Sequence, residues 1–107
     1  MHPARCPPAS EAVHLLQLPN VGPAMAADFS LLGHHSPQSL RHADPYLLYT
    51  MLCRQTGKRH DPCVLDVFIS VTHYLQQGQA LPWWHFTAQR KAELIARAVG
   101  PAWPLVQ

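Results

Sequence analysis

Proline and glycine fall at such regular intervals in this chain that they divide it into short helical pieces before any other property is considered. Eleven prolines and five glycines are spread over 107 residues. Three of the prolines follow a Ser or Asp, at Ser36-Pro37, Asp44-Pro45 and Asp61-Pro62. A side-chain oxygen there satisfies an orphan N–H of a first turn, and proline at the first helical position gives up no needed hydrogen bond. Gly33, Gly57, Gly78 and Gly100 stand where a left-handed residue would close the preceding helix. Between these marks the sequence predicts helices near residues 10–17, 23–32, 37–42, 45–56, 62–77 and 87–99. Val64, Leu65, Phe68, Ile69, Val71 and Leu75 recur at helical spacing on a broad face, so the fifth piece should be central and most buried. No strand pattern competes. The expected fold class is all-α, a small compact helical domain of five to six short helices.

That length suits one domain with one modest core and leaves little material for a deep cofactor cleft; no cofactor is expected. Residues 10–100 form the expected single domain, flanked by flexible proline-rich or short tails at 1–9 and 101–107. A hydrophobic content of 48% argues against disorder. No apolar run approaches the ~20 residues of a membrane span, and no apolar stretch follows Arg5 to make a secretory signal. Cys6, Cys53 and Cys63 are an odd set, which disfavours a disulfide framework and points to a cytoplasmic setting. Net charge is +2, small beside the strongly basic stripe usual in nucleic-acid binders.

The most informative stretch is Leu15-Leu16-Gln17-Leu18-Pro19-Asn20-Val21-Gly22-Pro23-Ala24-Met25-Ala26-Ala27. A helix ending on two leucines would reverse at residues 18–22 and restart at Pro23. Val21 would point inward, Gly22 would let a neighbour approach the backbone, and the alanines would let the two helices pack closely. This segment resembles a helix-hairpin-helix, in which backbone N–H groups at a helix start hold a DNA phosphate. Exposed amides and the positive end of a helix dipole favour an anion, without reading base sequence. Asn20 stands where the motif has its first glycine, and Ala24-Met25 stand where DNA-binding members carry Lys or Arg. A structural hinge or a protein-docking corner is the competing reading.

Four further pieces accompany the turn: Asp44-Pro45-Tyr46, Arg59-His60-Asp61-Pro62-Cys63-Val64-Leu65-Asp66, Leu81-Pro82-Trp83-Trp84 and Arg90-Lys91. In this order, over roughly residues 14–95, they resemble a bacterial family of pathogenicity-locus or mitomycin-resistance-like proteins. The Leu-Pro-Asn-x-Gly opening is also distantly similar to the C-terminal domain of the competence regulator TfoX. The resemblance implies a helical helix-hairpin-helix fold and almost nothing about chemistry.

Other candidates are weighed singly. Cys53, His60, Cys63 and Asp66 carry metal-ligating groups, but their spacing matches no zinc signature; burial of the cysteines is the simpler reading. His34-His35 fall in an expected surface turn, and His73 and His85 lack an orienting partner for base chemistry. Trp83-Trp84 could stack bases, yet a small domain needs such rings in its core, so at least one is expected to pack. Three functions follow. The first is a non-enzymatic, sequence-independent nucleic-acid module, anchored by Asn20, Val21, Gly22 and Ala24 and supported by Arg54, Lys58, Arg59, Arg90 and Lys91. Its partner would be the DNA phosphate backbone. The second is a protein-interaction adaptor using the hairpin or tryptophan loop as an apolar dock. The third is a small metal- or thiol-dependent enzyme on the Cys/His set. No residue is assigned a catalytic role.

Overall fold

Helices α1 (Pro23–Leu31), α2 (Pro45–Thr56), α3 (Cys63–Gln77) and α4 (Thr87–Ala96) build the computed structural model, which describes residues 1–106. Short turns of 3₁₀ helix lie at Pro3–Arg5, Ala9–Glu11, Leu15–Gln17, Pro37–Leu40 and Trp83–Phe86. No strand occurs among the described residues. The fold is all-helical, as expected, with four α-helices in place of five to six.

The proline caps explain where these helices begin. Asp44 Oδ1 accepts the amides of Tyr46 at 2.9 Å and Leu47 at 3.4 Å, which starts α2 at Pro45. Asp61 Oδ1 accepts the Cys63 amide at 2.9 Å, and that bond holds the Asp61 carboxyl below its ordinary pKa. Ser36 departs from the pattern. Its side chain caps nothing, its carbonyl takes the Ser39 hydroxyl at 2.8 Å, and the following piece closes after Leu40. Helices α2 and α3 end on left-handed Gly57 and Gly78, with φ of 70° and 77°. Helix α4 stops at Ala96, short of residue 99, because Ala98 (φ 55°) takes the left-handed position expected of Gly100.

The helix expected at 10–17 does not form. Pro19 forces Leu18 out of the α region, to ψ 145°, and His14 is extended at ψ 144°. Only Leu15–Gln17 remain between them, too few to offset the cost of nucleating an α-helix. Gln17 Oε1 instead accepts the amides of Val13 at 2.9 Å and His14 at 3.0 Å. What precedes the 18–22 turn is therefore a single 3₁₀ turn.

Helix α3 is the central element. It packs against α2, α4 and the tryptophan turn, and buries Leu65, Phe68, Val71 and Tyr74. Phe29 of α1 meets Phe68 with ring centroids 5.0 Å apart, and both rings are fully buried. Each such side chain stabilises the fold by roughly 1.5–3 kcal/mol. Leu18 and Val21 of the turn are buried in the same core, Val21 inward as its place predicts.

The end segments lie against this body. Tyr74 donates its hydroxyl to the Pro7 carbonyl, the Asn20 amide reaches the Met1 carbonyl at 2.7 Å, and the Met1 amino group donates to Leu18 O (3.0 Å) and Val21 O. Residues 1–9, expected as a loose tail, are thus tied to the turn and to α3. At the other end Trp103 packs on Tyr49 with centroids 5.6 Å apart. Gln107, part of the expected C-terminal tail, lies outside the described residues.

Candidate functional site

Asn20 organises the most prominent cavity. Its φ of 64° turns the chain, and its Nδ2 donates to Ser70 Oγ on α3 and to Leu81 O before the tryptophan turn, both at 2.9 Å. One side chain thereby fastens the 18–22 turn and the tryptophan loop to the same stretch of α3. Between them opens a largely apolar cavity of about 630 Å³. Its floor is Asn20–Gly22, one wall is Ala80 with Pro82–Trp84, and the other is Met1–Ala4. The two features singled out separately in the sequence are here one site.

The tryptophans divide their work. Trp83 is partly buried against the core, while Trp84 is 65% exposed. Their rings meet edge to face, 5.7 Å apart at 84°. The packing expectation holds for one ring, and the other is free to meet a ligand.

Beside the cavity begins α1. Gly22 is its N-terminal cap without a side-chain hydrogen bond, and the first intrahelical bond runs from Ala26 N to Gly22 O at 2.9 Å. The amides of Gly22, Ala24 and Met25 precede that bond and have no partner among the described residues. Those of Asn20 and Val21 are already taken, by Met1 O and by Leu18 O at 3.3 Å. Of the expected anchor, then, Gly22 and Ala24 stay open, Asn20 is a fastener, and Val21 belongs to the core. A Cβ built on Gly22 meets nothing within 4 Å, so this backbone faces open space.

The expected cations do not converge here. Arg90 sits on α4 and grips the fully buried Asp66, Nε to Oδ1 at 2.9 Å and Nη2 to Oδ2 at 3.4 Å, with Thr87 Oγ1 on Oδ2 at 2.8 Å. That carboxylate raises the Arg90 pKa and holds the guanidinium, which is only 13% exposed, against α3. Arg59 donates to Pro101 O at 2.6 Å, and Arg54 Nε reaches Leu105 O at 3.5 Å. Lys58 and Arg59 belong to the loop before α3 and Arg54 to the last turn of α2, and Arg59 lines a smaller cavity of about 260 Å³ with Tyr49, His60 and Trp103. The turn meets α3 at Ser70, midway along a helix whose 15 residues span ~22 Å. Lys91 is exposed on α4. The cation that sequence reading missed is Arg5. It is exposed and unpaired among the described residues, and its neighbours Pro3 and Ala4 line the main cavity. No local signal could have found it, because Met1 reaches the turn across about twenty residues.

The Cys/His set is also dispersed. Among the described residues no three His, Cys, Asp or Glu groups gather at metal-holding distance. Asp66 is bound to Arg90, Cys53 is buried and accepts the His60 amide at 3.4 Å, and the His60 ring pairs with Thr56 Oγ1 at 2.8 Å. Burial raises the Cys63 pKa, the direction opposite to an activated thiolate. His73 meets Gln79 Oε1 at 3.0 Å and packs on Phe86, and His34 pairs with Ser39 Oγ at 2.9 Å.

A family model described as "Pathogenicity locus" matches residues 8–92, from before the first leucines of the turn to the end of the Arg90-Lys91 pair. The chain belongs to the pathogenicity-locus family. It is also similar to the mitomycin resistance protein McrB of Streptomyces lavendulae, 37% identical over 83 residues, 78% of this chain and 79% of that protein. No solved structure matches. The pathogenicity-locus match contains the floor of the cavity and its tryptophan wall, whereas Met1–Ala4 and Arg5 lie outside it.

Proposed function

We propose that this protein is a non-enzymatic, cytoplasmic nucleic-acid-binding module. Its 18–22 turn serves as the hairpin of a helix-hairpin-helix whose first arm is shortened to one 3₁₀ turn. The observation that carries the reading is a coincidence in space: Gly22, with an unpaired amide, and the exposed ring of Trp84 line one cavity, the unpaired amides of Ala24 and Met25 follow Gly22 in the first turn of α1, and the cation Arg5 directly follows the lining residue Ala4. Helix-start amides favour a phosphate, the guanidinium adds charge, and the indole offers a face to a base or sugar. These contacts carry no sequence information of their own. The mitomycin-resistance name of the Streptomyces relative is compatible with a part in mitomycin resistance.

The test is a titration of labelled single- and double-stranded oligonucleotides at rising salt. Affinity should fall with salt, but with a shallow slope, since Arg90 is held by Asp66 and Arg59 lies beside Pro101. No binding at the lowest salt overturns the reading. The apolar lining of the cavity favours a second reading, an adaptor that docks an apolar segment of a protein partner. Binding would then be indifferent to salt.

A further inference from the structure

We infer that the cavity between the turn and the tryptophan loop accepts one unpaired nucleobase, so that the protein prefers single strands over duplex; this rests on the nucleic-acid reading above. Its volume, about 630 Å³, falls in the range that holds a single small-molecule-sized group. A nucleoside fits such a space and a base pair within a stacked duplex does not. The walls are largely apolar: Pro82, Trp83 and Trp84 on one side, Met1 to Ala4 on the other. A stacked helix cannot offer a base to a recess of that kind without opening a pair.

Trp84 has the features of a stacking platform. It is 65% exposed although its neighbour Trp83 is partly buried, so the fold does not use its area. Trp83 braces it edge to face, and Pro82 (φ −64°, ψ 148°) fixes the approach of the loop. Asn20 ties that loop to the turn through Leu81 O, which keeps the ring and the cavity floor at a set distance. The ligand class is therefore a flat heteroaromatic ring, and an unpaired base of a strand is the source to which the geometry commits. Free aromatic compounds are the alternative to be tested.

The experiment compares a short single strand, its blunt duplex, an abasic strand of equal length and charge, and the free nucleoside. It is read by anisotropy and by quenching of tryptophan emission. The single strand should bind about tenfold more tightly than either the duplex or the abasic strand, the effect of one stacked base. Trp84→Ala should abolish that preference, bringing single-strand affinity down to that of the abasic strand, while Trp84→Phe restores part of it. Circular dichroism checks that the variants fold. Equal affinity for duplex and single strand, unaltered by Trp84→Ala, overturns the inference and leaves the nucleic-acid reading standing. Nucleoside binding as tight as the strand overturns it in favour of a small-molecule site. Absence of binding by every strand overturns both.

Discussion

The two ends of α3 carry opposite kinds of surface. Toward its N-terminus lie most of the cations the sequence offers, and the structure occupies several of them: Arg90 with Asp66, Arg59 with Pro101 O, Arg54 with Leu105 O. From its middle, where Asn20 meets Ser70, to the loop after its C-terminus, the turn and tryptophan loop bring few charges, yet leave amides, an indole and Arg5 open. Charge counted along a sequence says nothing about whether the charge is already used. In this chain the basic end is the structural end, and the sparsely charged end holds the candidate site.

The largest effect should come from breaking the structural end. Arg90→Ala leaves the Asp66 carboxylate, fully buried, with only Thr87 as a side-chain partner. Removing one member of a buried ion pair typically costs about 3–5 kcal/mol. Urea unfolding should show that loss, and the double replacement Asp66→Leu with Arg90→Met should recover most of it. A variant that kept full stability but lost oligonucleotide binding would return Arg90 to the interface and dissolve the contrast between the two ends.

Asn20 comes next, because it joins the candidate site to the core. Asn20→Ala loses two hydrogen bonds and puts at φ 64° a residue that tolerates the left-handed region less well than asparagine, together about 2–3 kcal/mol. Asn20→Gly keeps the backbone free and should cost about half as much. In both, the tryptophan loop loses its tie at Leu81 O, so the emission of Trp84 should shift. An unchanged spectrum would mean that the loop is held by other contacts.

How much of this was legible in the sequence depends on how far apart the partners are. Helices α2 and α3 could be read from Asp44-Pro45, Asp61-Pro62, Gly57 and Gly78, because caps act over two or three residues. The turn at residues 18–22 could be located from Pro19, Gly22 and Pro23. The helix expected before it could not be judged, since Pro19 constrains Leu18 more strongly than two leucines favour a helix. The role of Asn20 was invisible because Ser70 and Leu81 lie fifty and sixty-one residues away. In the sequence Asp66 counts only as one of four metal-ligating groups, because its partner Arg90 is twenty-four residues on and only the fold pairs them.

The contrast is sharpened by reversing one charge at each end. Arg5→Glu should weaken oligonucleotide binding roughly fivefold at low salt and make the salt slope shallower by about one. Lys58→Glu, exposed in the loop before α3, should leave both nearly unchanged. Neither is expected to alter the unfolding midpoint, because Arg5 and Lys58 are exposed and form no ion pair among the described residues. Equal losses from the two reversals would mean that binding responds to net charge rather than to the cavity.

The smallest effect is the most selective. Gly22 has φ −104° and ψ −174°, an extended backbone that alanine also adopts, and an added Cβ meets no atom within 4 Å. Gly22→Ala should therefore leave stability unchanged or raise it by about 0.5 kcal/mol, through the narrower unfolded ensemble. The methyl group would crowd the Gly22 amide, on a residue that lines the cavity, so a phosphate held there would lose part of a hydrogen bond. Binding should fall about threefold, the low end of what one such bond contributes. A stable Gly22→Ala protein with unaltered affinity would show that nothing approaches this backbone, and would leave Trp84 and Arg5 as the working parts of the cavity.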